Sequence, residues 1–324
     1  MIFILLLSIL LIFPSCSPDS SLGKERKTYI ITVADDFESD HQYRKLKTVV
    51  TDQAALYNQF STFENVEIRC YIAQNGKRYL SLSPEYRAED EKNNPTEADS
   101  SNFDHFTFIP KEGEEKNWSI ETVLEDVGKI NAEKEDLIIF TYSGHSDNNG
   151  SFVTNYNRDS GKYDTTNKER VLEAFSSISG KKVFFLDTCF SGQFISESNF
   201  STTDSFNSSQ TKYLGEDYLN AIKNLSFKAI KNESKKDFWI LSSAGSNQEA
   251  YDTGFGNEPN VKHYGALTYY LLLSLGYDME RNEARTVKTP LTFYSIYSYI
   301  WQHFPEKENQ TPRVERKKLD IRIR

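Results

Sequence analysis

The chain holds three cysteines in 324 residues, none in C-x-x-C spacing, so the usual sequence pattern of a structural zinc site is missing. It has no Walker loop and no Gly-rich turn between a strand and a helix. That absence disfavours the phosphate cradle of a nucleotide-binding α/β protein. Internal repeats are absent. Basic residues are also in the minority, 38 Lys and Arg against 47 Asp and Glu for a net charge of −9, and they are scattered. No nucleic-acid surface is expected from that pattern. Long apolar runs are scarce as well. One, Ile2 to Phe13, is interrupted only by Ser8, and it is too short to span a bilayer comfortably. Aromatic residues, by contrast, make up 14% of the chain, which suits a globular protein with polar insertions.

The apolar run is followed at once by Pro14, Ser15 and Cys16 and reads as the h-region of a signal peptide. It resembles a bacterial lipoprotein leader, in which the cysteine takes the lipid and becomes the mature N-terminus. Residues 1–16 are then a leader, Cys16 the lipidation site, and the cell envelope the expected location. Secretion without lipid, an uncleaved anchor and a misplaced start codon are the alternatives. Export would permit Cys70 and Cys189 to pair. However, Val66, Ile68, Cys70 and Ile72 alternate onto one face, so Cys70 reads as a mid-strand core residue and that disulfide is not expected.

A polar linker, 17–27, precedes a domain expected over 28–324. Tyr29 to Val33 is a strand, and Leu46, Val49, Val50, Leu56, Tyr57 and Phe60 keep helical spacing over about 45–63 with Gln53 as a polar exception. Asp52 lies off that stripe. Strand 66–72 completes a β-α-β unit, which implies a parallel pair. Residues 74–117 are polar apart from FDHFTFIP and read as an insertion forming a flap or hairpin. Helical spacing returns over 118–130, and the strand DLIIFTY then ends in Ser143-Gly144-His145. A helix over 166–177 leads to the buried run Val183 to Leu186, followed by Asp187 and Cys189. Further on come a Ser/Asn/Thr-rich loop, a helix over 214–230, the strand 238–244, helices over 264–277 and 291–303, and LDIRIR as an edge strand. Strands alternating with helices predict a three-layer α/β/α sandwich around a mostly parallel sheet of about six strands.

Two successive strands thus end in chemically useful residues, one at His145 and the next at Cys189. Chemistry in open α/β sheets collects beyond the carboxyl ends of the strands. Neighbouring strands lie about 5 Å apart, so imidazole and thiol can flank one cleft. Taken singly, the cysteine could be a small buried hydrophobe and the histidine a solvated loop residue.

The motifs YSGH (142–145), FFLDTCFSG (184–192), SSAGSNQEAYD (242–252), GALTYYLL (265–272) and QTP (310–312) together resemble the caspase-like cysteine peptidases. They are most similar to the metacaspase and paracaspase branch, and the likeness runs from about Thr28 to the C-terminus. The QAC signature of animal caspases is absent. The resemblance implies the caspase-like fold, Cys189 as nucleophile and His145 as acid and base. It also implies an oxyanion site built from backbone N–H groups of Ser146 and Cys189. Here Ser146 stands where the family usually has glycine. In the same way Asp52, Ser143 and Asp187 correspond to the family's primary pocket, where paired carboxylates suit Arg or Lys and repel acidic side chains. A protein or peptide substrate follows from this likeness; whether the lysine-bearing loop 191–236 is a site of self-cleavage is left open by the sequence. Some relatives depend on calcium, but no cofactor or metal is expected, and Asp35, Asp36 and Asp40 read as a solvated loop. The competing expectation is a catalytically silent caspase-like domain that binds or scaffolds.

Overall fold

The structure, a computed structural model, describes residues 25–37, 43, 45–46, 48–90, 104–157, 162–195, 238–255, 262–286, 290–304, 310–315 and 320–324. The leader, Cys16, Asp40 and the helix expected over 214–230 lie outside these residues, as does most of the loop that follows residue 195.

Four largely apolar segments set the centre of the molecule. Strands β1 (Thr28–Asp35), β6 (Leu137–Ser143), β9 (Lys181–Asp187) and β10 (Phe238–Ser242) are buried almost throughout. Such two-sided burial is what parallel strands covered on both faces require. With β2 (Val66–Gln74) they form five parallel strands in the order β10-β9-β6-β1-β2. An antiparallel strand closes each edge, β13 (Arg313–Glu315) beside β10 and β3 (Lys77–Ser81) beside β2. The sheet is therefore the expected, mostly parallel one, with seven strands.

Alternate side chains along each strand feed two separate cores. Ile30, Ile139, Val183 and Leu241 meet helices α1 (Val49–Phe60), α4 (Ala266–Ser274) and α5 (Phe293–His303) on one face. Ile31, Phe140, Phe184 and Ile240 meet α2 (Ile120–Gly128) and α3 (Lys168–Ser176) on the other. The three layers follow from that alternation. Gln53, the polar exception on α1, is buried because its amide donates to the Thr32 hydroxyl at 2.9 Å and to the Tyr71 carbonyl at 3.1 Å, fastening the helix to two strands.

Three expectations change. LDIRIR is not the edge strand; Ile321 and Ile323 are buried under α5, and the Ile323 and Phe293 amides bond to Leu291 and Ile321 carbonyls at 2.7 and 2.9 Å. The edge position goes to the short segment just after QTP. The stretch 74–117 is more than an insertion, since it begins with β3. Asn75 and Gly76 both have positive φ, 54° and 70°, which is the tight turn a two-residue hairpin needs. It continues as a hairpin of β4 (Glu85–Asp90) and β5 (Asp104–Ile109), bonded to α1 through the Phe106 amide and the Thr51 hydroxyl at 3.1 Å. Finally, Asp35 and Asp36 are not solvated: they are 2% and 4% exposed. Asp35 pairs with Arg78 at 2.8 Å, Arg78 lies 4.4 Å from the centre of the Trp118 ring, and Asp36 accepts the Asn75 amide at 2.9 Å. A burial this deep is tolerated only because each carboxylate has its partner.

Two further hairpins border the cleft, β7 (Phe152–Asn157) with β8 (Lys162–Thr166) and β11 (Asp252–Phe255) with β12 (Lys262–Gly265). Among the described residues no helix is long and apolar enough to cross a membrane.

Candidate active site

Strands β6 and β9 run parallel in a register that sets Ser143 opposite Asp187. Two residues beyond each lie His145 and Cys189, so both leave the sheet from matched positions. Their loops are tied directly, because the Ser146 hydroxyl donates to the Cys189 carbonyl. The residue that departs from the family pattern thus gains a contact that glycine could not make. Ser146 also faces Phe152 in an antiparallel bridge. The bonds flanking it run from Val153 N–H to His145 C=O and from Asp147 N–H to Ser151 C=O, at 3.1 and 3.0 Å. Ser146 therefore occupies a non-hydrogen-bonded position, and its own amide is not used by that ladder.

His145 is half-buried and packed among aromatic rings. Phe37 meets it edge-on at 4.8 Å and Tyr43 lies 4.9 Å from it. Its carbonyl lies 2.7 Å from the Tyr142 hydroxyl, which also reaches the Val153 carbonyl at 2.8 Å. The backbone of Phe37 is left-handed, with φ of 54°. Such strain in a bulky residue is held only by its surroundings.

Cys189 carries a free, half-buried thiol, and Cys70 is free and fully buried, so the two are not joined. The Cys189 sulfur accepts the Ala250 amide at 3.3 Å. Around it the Thr188 amide is taken by the Ser243 hydroxyl at 3.2 Å and the Phe190 amide by the Gln248 carbonyl at 2.8 Å. Phe190 itself is left-handed, with φ of 51°, so the chain turns sharply just past the sulfur. The matched segment 242–252 thus holds the cysteine from below. Gln310 of QTP supports that segment, with its carbonyl oxygen accepting the Tyr251 amide at 3.2 Å.

Burial pushes the Cys189 thiol up from its ordinary value, with Glu249 and Asp187 adding negative charge nearby, while the Ala250 amide opposes them. A raised thiol pKa means that the thiolate appears only as pH climbs through and beyond the ordinary thiol range, so the resting sulfur is protonated at neutral pH. The rate of Cys189 carboxamidomethylation by iodoacetamide, followed by peptide mass spectrometry, is expected to keep rising past about pH 9. A plateau already reached near pH 6 would contradict this and would indicate a preformed thiolate.

Asp52 lies off the apolar stripe of α1 but is buried. It is 0% exposed and accepts the Ser143 hydroxyl at 3.1 Å and the Gly265 amide at 3.1 and 3.2 Å. Asp187 accepts both the amide and the hydroxyl of Thr268 at 2.8 Å. The three residues expected to share a pocket are therefore brought together, and two more, Gly265 and Thr268, join them from the start of α4. A cavity of about 10 Å³ adjoins them, lined by Gln53, Ser143, Asp187, Thr268 and Leu271 among others. Both fall in the motif GALTYYLL, which carries part of the family likeness, but Gly-Ala-Leu-Thr by itself reads only as the opening of a helix and names no role for them.

Both carboxylates lie against Gly265. A β-carbon there would lie 2.3 Å from an Asp187 oxygen and 3.0 Å from one of Asp52. Gly265→Ala is expected to force the carboxylates apart, with a loss of stability of about 1–3 kcal/mol in urea unfolding. A variant as stable as the wild type would show that the pair need not be held this closely.

No group of three or more His, Cys, Asp or Glu side chains able to hold a metal ion occurs among the described residues.

No curated protein matches the sequence. Among solved structures, caspase-1 from Spodoptera frugiperda is similar over 90% of this chain and 88% of its own, with 11% identity and a TM-score of 0.47. A protein from Geobacter sulfurreducens is similar over 89% and 92%, with 14% identity and a TM-score of 0.42. A secreted C11 cysteine protease from Bacteroides thetaiotaomicron, solved with an irreversible peptide inhibitor, is similar over 89% and 65%, with 11% identity and a TM-score of 0.38. The sequence model of the caspase domain in peptidase family C14 matches residues 41–320, a span that takes in both strand-end loops and the helix that closes over Asp52 and Asp187. With that match across most of its length, the chain belongs to the caspase-domain family of cysteine peptidases.

Proposed function

We propose that this protein is a cysteine endopeptidase that cuts after Arg or Lys, with Cys189 as nucleophile and His145 as its acid and base. The observation that carries the specificity is the meeting of Asp52, Asp187 and Ser143 beside the cysteine strand. Two carboxylates in a buried slot favour a cation and repel an acidic side chain. In this mechanism His145 takes the thiol proton as sulfur attacks the scissile carbonyl, and the acyl–sulfur bond forms as the peptide C–N bond breaks. The proton passes to the leaving amine. His145 then removes a proton from water, which displaces the thiol. The developing oxyanion receives the amides of Ser146 and Cys189. A protonated resting thiol makes the base necessary to this scheme.

The test uses the protein without residues 1–16 and fluorogenic peptides ending in Arg, Lys or Asp, beside Cys189→Ala. Hydrolysis after Arg and Lys by the wild type alone supports the proposal. Equal signal from both proteins favours the silent binding domain, and cleavage after Asp alone overturns the pocket.

The reaction needs no metal in this account, so chelation of calcium is expected to leave the rate unchanged. The leader is proposed to deliver the peptidase to the bacterial cell envelope, tethered through a lipid on Cys16. Cys16→Ala is then expected to move the protein from the membrane fraction to the soluble one. Retention in the membrane would argue for an uncleaved anchor.

A further inference from the structure

If Asp52 and Asp187 form the basic-residue pocket, something must hold two buried carboxylates side by side when no substrate cation is present. Like charges in a shared site repel each other. Besides the Ser143 hydroxyl on Asp52, donors to both carboxylates come from the start of α4. The Gly265 amide reaches both oxygens of Asp52, at 3.1 and 3.2 Å. Three residues further on, Thr268 turns both its amide and its hydroxyl on one oxygen of Asp187, Oδ2, at 2.8 Å each. Thr268 is itself 3% exposed. Amides in the first turn of a helix have no partner within the helix, and the dipole there is positive. The α4 terminus thus opposes the charge of both side chains.

The Thr268 hydroxyl goes further than charge. The amide would face Asp187 whatever residue stood at 268, whereas the hydroxyl adds a second donor to the same atom and so fixes the plane of the carboxylate. A guanidinium binds a carboxylate through two parallel N–H bonds and depends on that plane; an ammonium is a point charge and depends on it far less. We infer that Thr268 is a positioning residue for substrate recognition, which orients Asp187 so that the pocket prefers Arg to Lys. The inference rests on the reading of this site as the substrate's basic pocket.

Thr268→Val keeps the shape of the side chain and the backbone amide and removes only the hydroxyl donor. It is expected to raise KM for an Arg-terminated peptide about tenfold, as loss of a hydrogen bond to a charged group implies. KM for the matching Lys peptide should change by less than about threefold, the loss falling in KM rather than kcat. Thr268→Ser should restore the Arg preference, because it returns the hydroxyl. Equal losses on Arg and Lys, or a loss in kcat alone, would overturn the inference, as would an unchanged KM. Circular dichroism melting verifies that the variants fold, and Thr268→Ala replaces the valine variant if it does not. Benzamidine binding by calorimetry separates the two levels of the argument. A wild type that hydrolyses nothing yet binds benzamidine more tightly than Thr268→Val overturns the peptidase proposal and keeps the positioning role. A wild type that binds no benzamidine overturns the positioning role.

Discussion

Cys189→Ala is expected to lower hydrolysis of Arg- and Lys-terminated peptides by at least about 10⁴-fold, because the acyl intermediate cannot form without the sulfur. The fold should survive. The turn around residue 189 is held by main-chain and neighbouring side-chain bonds that the substitution leaves alone, among them Phe190 N–H to Gln248 C=O at 2.8 Å and Ser243 hydroxyl to Thr188 C=O at 3.1 Å. Cys70→Ala supplies the contrast. Its thiol is fully buried in β2 and pushed up to about 12 by desolvation, so it is a packing group with no thiolate at working pH. That variant should lose about 1–2 kcal/mol of stability in urea unfolding and keep its kcat. Activity lost with Cys70 and kept with Cys189→Ala would reverse the assignment.

The second large effect concerns charge recognition. Asp187→Asn preserves shape and removes one of the two carboxylates that would meet the substrate cation. Truncating one side of a desolvated charge pair costs about 2–5 kcal/mol, so kcat/KM for Arg peptides should fall about 100-fold, with peptides bearing an uncharged residue at the same position nearly unaffected. Asp52→Asn should act in the same direction. A variant that loses both substrates equally would point to a structural role for Asp187, which also stands at the end of β9 and bonds to α4.

Much of this site was legible in the sequence because it hangs from the strands, and the strands announce themselves. A run such as Leu137 to Phe140 or Val183 to Leu186 has to be covered on both faces, and the residue after such a run falls at the edge where ligands collect. What the pattern hid comes from contacts made by segments far away in the chain. The place of Asp52 in the pocket came from the family likeness alone, because an apolar stripe assumes a helix with one buried face, whereas α1 is also covered by the β4–β5 hairpin and by β12. Gln53 and Asp35 broke the apolar rule for a related reason: each is buried with partners, Thr32 and Tyr71 for the amide and Arg78 for the carboxylate. The strand β3 was hidden in polar sequence, although Asn75-Gly76 was a local signal for its turn. For Gly265 and Thr268 the motif GALTYYLL marked the segment but not the role of either residue. Their role depends on α4 starting over Asp52 and Asp187; Thr268 lies 81 residues along the chain from Asp187, and Gly265 lies 213 from Asp52.

The most direct test of the central claim is covalent capture of the nucleophile. The protein is treated with peptidyl acyloxymethyl ketones that differ only in ending with Arg or with Asp, then digested, and the modified cysteine is identified by mass spectrometry. Adduct from the Arg reagent is expected on Cys189, none on Cys70, and little from the Asp reagent. Modification of Cys70, or of Cys189 by the Asp reagent in preference to the Arg one, would contradict the claim.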